Sequence, residues 1–534
     1  MRKFLWMVAV GGLVLALAAP VMALDFKFGG EYRMRFTAAD NVGGNNGGNP
    51  SDMFDHNSPN RNLRSFQLRV RPRFDVSDDN GNVQATLRLE IGDVEFGNGG
   101  GAQGVTNGTN AVPSGARVGN GAGGMMGNDG VNVETKWAYL DFAIPNFPLR
   151  IRTGLQPWYL PKGIIIDDDT IGIRAYGTYA PISYEFAWYR ETCGPLATTS
   201  AGSASFPSSS AARANCIGGA AYTNPYPSTA VPNLNGGTTG PGTTFSAPSG
   251  VAGLTTNNTF DWYQFKVDAA IAKWLNPGFY AIYGQNKSTS FGNFTPAANW
   301  YLGFTSTGQV GTVSYDFDFI WGNAEGGPAG TNVGNNGVLA STTGFVKMEG
   351  FMFDAGVHVP VGPLTFSVVG SYASGDSRKS GGNSNAMPYI SPSWNGAGGI
   401  FELIGSGGNF DQLDNNQDYP ANLWMIGGAV EYRPVKALWL RLVGGYAGFS
   451  HKVGNCALVV LNSAGQNTAC FGSGYTQLAA YHDGAGTAQM GTEVSLRADY
   501  DLWTGLKIQG AAGVLIPKAG VTATELVMQF LYAF

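Results

Sequence analysis

The sequence predicts an all-β chain: an antiparallel, up-and-down transmembrane β-barrel of about 18 strands, with 16 as the neighbouring even count, and long external loops. Three observations carry that prediction. Apolar and polar residues alternate with period two through segment after segment, the connections between segments alternate between long and short, and the chain runs from an apolar leader to an aromatic terminal strand.

Successive side chains of a strand point to opposite faces, so a sustained period of two does not arise from a helix. Phe26, Phe28, Tyr32, Met34 and Phe36 alternate with Lys27, Glu31, Arg33 and Arg35. Phe66, Leu68, Val70, Phe74 and Val76 stand against Gln67, Arg69, Arg71, Arg73 and Asp75, and Val83, Ala85, Leu87, Leu89 and Ile91 against Gln84, Thr86, Arg88 and Glu90. Val313, Tyr315, Phe317, Phe319 and Trp321 against Ser314, Asp316 and Asp318 repeat the pattern late in the chain. Residues 133–142 fit either parity, with Trp137 and Tyr139 outward or Ala138, Leu140 and Phe142 outward; a bulge there reconciles both.

A soluble sandwich also alternates. Loop lengths separate the two folds. Short connections are expected near 77–82, 144–146, 180–181, 273–277, 307–309, 360–362, 434–436 and 503–504. Long ones are expected near 38–63, 94–130, 158–169, 192–258, 288–296, 323–342, 375–420, 450–488 and 517–524. Short periplasmic turns alternating with long external loops produce this regularity, and a Greek-key sandwich has no reason to.

At the start, Arg2 and Lys3 precede an apolar run from Phe4 to about Ala19, and Val21-Met22-Ala23 suits a signal peptidase. A secretory leader over residues 1–23, followed by one barrel domain over 24–534, is the expected division. The run is shorter than the roughly 20 residues of a spanning helix, which weighs against an uncleaved anchor. At the other end, Leu526, Met528, Phe530, Tyr532 and Phe534 share one strand face.

Composition narrows the classes further. Only 13% of the 534 residues are charged, against roughly 25% in a soluble domain, and a net charge of -5 argues against binding nucleic acid. The four cysteines sit in polar loops. In an oxidising compartment the simplest of three connectivities is Cys193 with Cys216 and Cys456 with Cys470, free thiols being the alternative. No C-x-x-C-H, G-x-S-x-G, H-E-x-x-H or phosphate-cradling loop is present, and the only histidines are His56, His358, His451 and His482. No cofactor and no enzymatic activity are expected.

Sixteen to 18 strands enclose an aqueous channel, where about eight would be filled by side chains. On the expected register the first seven strands line the lumen with Lys27, Arg33, Arg35, Arg69, Arg71, Arg73, Arg88, Lys136, Arg150, Arg152 and Arg174, and later strands tip slightly acidic, with Asp316, Asp318 and Asp354 among them. The plain reading is a wet, ion-paired interior. A sharper one involves the third long connection, from Pro157 to Asp169, which is short, partly apolar and ends in Asp167, Asp168 and Asp169.

Several of these features resemble known families. The terminal strand with Tyr532 and Phe534 resembles the sorting signal of outer-membrane barrels, which implies insertion by the barrel-assembly machinery. The third connection is similar to the general-porin loop that folds into the lumen. That resemblance implies Asp167, Asp168 and Asp169 facing Arg69, Arg71, Arg73 and Arg88, the competing use of the triplet being a Ca²⁺ site on the outer rim. Residues 370–376 and 491–500 resemble stretches of alginate-export-type porins, which implies an anionic or sugar-acid solute.

The expectation is therefore a porin in the outer membrane of a Gram-negative bacterium. It would pass small hydrophilic solutes by diffusion, prefer anions, and contact outer-membrane lipid and lipopolysaccharide; a homotrimer follows only by analogy with general porins. Two other classes compete: a scaffold sheathing a partner such as an outer-membrane cytochrome, and an adhesin or receptor acting through loops 192–258 and 375–420. A sugar-specific channel would need an inward aromatic track, for which Tyr189, Tyr301 and Trp439 look too scattered. Trp137, Tyr139, Trp188, Tyr263, Trp300, Trp321, Trp424, Tyr446 and Tyr500 are expected outward, as interfacial girdles.

Overall fold

A computed structural model of the chain describes residues 24–40, 63–96, 133–192, 259–286, 298–325, 347–375, 385, 387–390, 399–402, 423–450, 459–461, 467–470, 489–517 and 522–534. Eighteen strands form one sheet. In chain order they are β1 (Leu24–Asp40), β2 (Leu63–Asp78), β3 (Val83–Phe96), β4 (Val133–Ala143), β5 (Arg150–Tyr159), β6 (Asp167–Tyr179), β7 (Ile182–Thr192), β8 (Thr259–Ala269) and β9 (Asn276–Asn286). The second half comprises β10 (Ala298–Val310), β11 (Val313–Glu325), β12 (Lys347–Val361), β13 (Leu364–Ala373), β14 (Leu423–Val435), β15 (Leu438–Phe449), β16 (Gln489–Trp503), β17 (Leu506–Pro517) and β18 (Ala523–Ala533). Each pairs antiparallel with its chain neighbours, and β1 also pairs with β18, closing the barrel. A small hairpin, Val459–Leu461 with Asn467–Cys470, lies in the connection between β15 and β16.

The alternation explains which face points where. Phe26, Ile171, Phe186, Val368, Ile426, Leu442 and Leu526 all face outward and are exposed, as a lipid-facing surface requires. The strands of 10 to 17 residues are long enough to cross a bilayer, for which about 9 to 11 tilted residues suffice. At the seam the final residue is tied in: Gly30 N–H donates to the Phe534 carbonyl at 2.8 Å, and Phe534 N–H returns a bond at 3.1 Å. The Phe534 ring lies 5.5 Å from that of Phe28.

Two details differ from the expected register. The break expected at 307–309 falls inside β10, and the turn lies two residues on, where Gly311 supplies the left-handed conformation (φ 63°) that a tight hairpin needs. In β4, Arg88 pairs with Trp137 while the next residue, Leu89, pairs with Thr135, so a bulge at Lys136 flips the parity. Trp137 and Tyr139 consequently belong to the lumen, not to the outer girdle: Tyr139 is buried beneath the Arg152 guanidinium, and Leu140 is exposed on the outside. Residues 1–23, Cys193, Cys216 and Cys456, and the side chain of Cys470, lie outside the described residues.

Candidate functional site: a lumen narrowed by two inward segments

Residues 160–166, between β5 and β6, turn into the barrel. Gly163 N–H bonds to the Leu160 carbonyl at 2.9 Å and Leu160 N–H to the Ile166 carbonyl at 3.1 Å. Lys162 (φ 58°) and Gly163 (φ 66°) are both left-handed at the tip; glycine adopts this freely, whereas lysine does so at a cost of about 1 kcal/mol. Leu160, Ile164, Ile165 and Ile166 are almost completely buried. Burying such side chains contributes roughly 1.5–3 kcal/mol each, enough to hold the segment down.

The bed beneath them is aromatic. Trp158 stacks on Tyr189 at 4.6 Å between ring centroids and meets Trp262 at 5.8 Å, and Trp262 meets Tyr301 at 6.2 Å. Tyr189 and Tyr301 are thus part of a continuous inward row, contrary to the scatter read from sequence, because Trp158 and Trp262 bridge them across the sheet. The row is covered by the chain itself, all four rings being at most 1% exposed. Trp439 lies apart from it, against Arg441 and Arg497.

From the tip, Lys162 reaches β11 and β12, a third of the way round the 18-strand ring. Its ammonium lies 2.7 Å from an Asp318 oxygen and also contacts Asp316 and Asp354. Burial alone would lower the Lys162 pKa; the carboxylates of Asp354, Asp318 and Asp316 outweigh burial and hold it well above the ordinary lysine value. Among the described residues these three aspartates form the acidic group close enough to share a metal ion, their oxygens lying within 4.8 Å of one another, and the lysine supplies the cation.

The second inward segment comes from the connection between β13 and β14. Ile390 N–H bonds to the Ile165 carbonyl at 3.2 Å, joining the two segments, and Met387, Tyr389, Ile390, Ile400 and Phe401 are buried. Phe401 fills a notch made by Gly427 and Gly445, where an added Cβ would lie 2.6 and 2.2 Å from its ring tip. Next to it, the Glu402 carboxylate meets Arg441 at 2.5 Å, and its backbone N–H donates to Glu493 at 2.8 Å. Burial raises the Glu402 pKa, with Arg441 and Arg497 pulling the other way.

The wall formed by β1–β6 stays polar. Arg69 pairs with Glu31 at 3.0 Å, Arg71 with Glu90, Arg73 with Asp75 at 2.8 Å, and Arg174 with Glu185 at 2.5 Å. Arg150 and Arg152 share Asp141 at 2.7 and 2.8 Å. Arg33 and Arg35 are buried, and the Arg35 Nε donates to Gln529. Arg88 lies over the Trp137 ring at 4.4 Å. The Asp167, Asp168 and Asp169 triplet begins β6, outside the connection proper. Asp169 meets Lys136 at 3.0 Å and accepts the Trp137 indole N–H at 2.7 Å; Asp168 accepts the Asp169 backbone N–H at 2.8 Å, and Asp167 is exposed.

One arrangement invites a catalytic reading. His358 bonds Ser367 Oγ through Nδ1 at 2.8 Å and Asp316 through Nε2 at 3.0 Å. These are neighbouring inward positions on β11, β12 and β13. Ser367 is buried, Asp316 is shared with Lys162, and the surrounding strands are paired on both edges, so their N–H groups serve the ladder and form no oxyanion hole.

Lys162, Phe401 and Glu402 had no place in the sequence reading. The signals for them are thin: a single lysine in an apolar stretch, and one Phe-Glu pair inside a long Gly- and Asn-rich connection.

A closed 18-strand antiparallel barrel, apolar outside, charged inside, with its lumen narrowed by inward segments, is the fold of bacterial outer-membrane porins. Barrels of this class span the outer membrane of Gram-negative bacteria. The solved structure of Pseudomonas aeruginosa OccK9 (OpdG) is similar over 96% of this chain and 98% of its own, at 9% identity and a TM-score of 0.50. OccK1 (OpdK) and OpdQ from the same organism match over the same shares, at 9% and 12% identity and TM-scores of 0.48 and 0.46. No family model matches the chain, and no curated protein does.

Proposed function

We propose that the barrel is a water-filled channel through which small hydrophilic solutes diffuse passively, anions in preference to cations, along a lane beside β1–β6. The asymmetry of the lumen carries this reading. Its other side is filled by the apolar inward segments, whereas side chains on the β1–β6 wall remain solvated: Arg73 is 39% exposed and Lys136 31%. Along β1–β6, among the described side chains, the cations Arg33, Arg35, Arg69, Arg71, Arg73, Arg88, Lys136, Arg150, Arg152 and Arg174 outnumber the carboxylates Glu31, Asp75, Glu90, Asp141, Asp168 and Asp169. A one-signed excess in a low-dielectric passage concentrates the opposite ion. The inward segments also take up lumen that a threaded cytochrome would need, which favours a channel over a sheath.

Liposome swelling with sugars of graded size tests the proposal. Swelling that slows steeply with solute mass, and is faster for an anionic solute than for a cationic one of equal size, is expected. Swelling no faster than that of protein-free liposomes would end the channel reading.

A further inference from the structure

Selection by charge requires a charge that a passing ion can reach and that no partner already neutralises. Most of the basic wall fails one of these conditions. Arg69, Arg71, Arg73, Arg174 and Lys136 each face a carboxylate, and Arg150 and Arg152 share one. An ion pair presents a dipole, whose field falls off faster than that of a lone charge. Arg33 and Arg35 are 4% and 1% exposed, so a solute in the lane does not touch them.

Arg88 differs from all of these. It is partly exposed on the lumen face of β3, directly across the sheet from Arg73, and among the described residues no carboxylate lies within 4.0 Å of its guanidinium. Its one close partner is a ring, the face of Trp137 at 4.4 Å, with Arg73 at 5.6 Å from the same ring. Stacking on an indole fixes a guanidinium without neutralising it and leaves its edge free to donate. The ring is itself fixed, since its N–H donates to Asp169 at 2.7 Å and Asp169 is held by Lys136 at 3.0 Å.

We infer that Arg88 is the specificity-determining cation of this channel, held toward the lane by Trp137 and Asp169 as positioning residues. This rests on the channel reading. The rest of the arginine row is paired, shared or buried, which leaves Arg88 as the partly exposed guanidinium with no carboxylate partner among the described residues, and the ligand class it favours is a small hydrated anion.

The test is the reversal potential of the full chain in a planar bilayer under a KCl gradient, with heat-modifiable migration checking that each variant has folded. Arg88→Gln is expected to lower the chloride-to-potassium permeability ratio several-fold. The double variant Lys266→Gln with Asp268→Asn, which removes an ion pair of 3.1 Å on β8, outside the lane, should leave the ratio within error, and Arg88→Lys should retain most of it. Trp137→Leu, which keeps every charge but removes the platform, should give an intermediate ratio at little-changed conductance. A conducting Arg88→Gln barrel with the unaltered ratio, or a pair variant that shifts as far, overturns the assignment of Arg88. A silent unaltered barrel overturns the channel reading itself.

Discussion

The Lys162 ammonium lies 2.7 Å from the Asp318 carboxylate, although the connection between β5 and β6 that carries the lysine stands a third of the barrel away from the strand that carries the aspartate. The contact ties the tip of one inward segment to the opposite wall, with Asp316 and Asp354 completing the cradle. The tie thus holds the inward segment across the lumen at both ends.

Lys162→Ala should therefore release the tip and leave three clustered carboxylates, Asp354 among them fully buried. Stranding one side of a buried ion pair costs about 3 kcal/mol or more, so the segment should lift from its bed and single-channel conductance should rise. The vacated aspartates should also take a divalent ion, seen as calcium-dependent thermal stabilisation in the variant and not in the unaltered protein.

The same tie predicts a pH response. Because the folded Lys162 pKa is raised, its contribution is fully present below the ordinary lysine value of about 10.4 and is lost only as pH rises through the still higher folded value. Raising the pH from about 7 to 9 should leave the lysine side of the tie intact. Conductance that climbs over that interval in the unaltered protein, and not in Lys162→Ala, would contradict this.

Gly445 makes room for Phe401, and an alanine there would place its Cβ 2.2 Å from the ring tip. Overpacking of this kind costs roughly 1–3 kcal/mol. Gly445→Ala should undock Phe401 and widen the passage, while Phe401→Ala should widen it without crowding the wall; both barrels should keep their heat-modifiable migration. Unchanged conductance in both would mean that this segment does not bound the lane.

Deleting Phe534 removes both backbone bonds to Gly30 and the ring packed against Phe28. Each bond contributes about 1 kcal/mol, and the loss falls at the seam that closes the barrel. Refolding into lipid should slow, and the folded fraction should drop relative to the full chain.

Strand faces and the alternation of connections were legible because period-two patterning writes each strand's register locally. Residues such as Phe26 and Arg33 need only their neighbours to be assigned a face. The misplacements have local causes as well: the bulge at Lys136 turned Trp137 and Tyr139 inward, and Gly311 rather than residues 307–309 formed a turn. The site was less legible, because its contacts join residues far apart in the chain. Lys162 meets Asp354 across 192 positions, and the aromatic row gathers Trp158, Tyr189, Trp262 and Tyr301 from four strands. The partners of each arginine likewise depend on cross-strand register, so the sequence displayed a row of charges without showing which were cancelled.

Single-channel recording of the purified full chain, beside Lys162→Ala, tests the central claim most directly. Discrete, long-lived steps in the unaltered protein, with larger steps in the variant, are the predicted result. A folded barrel that carries no current in either form would contradict the claim that this lumen is a water-filled path narrowed by its own inward segments.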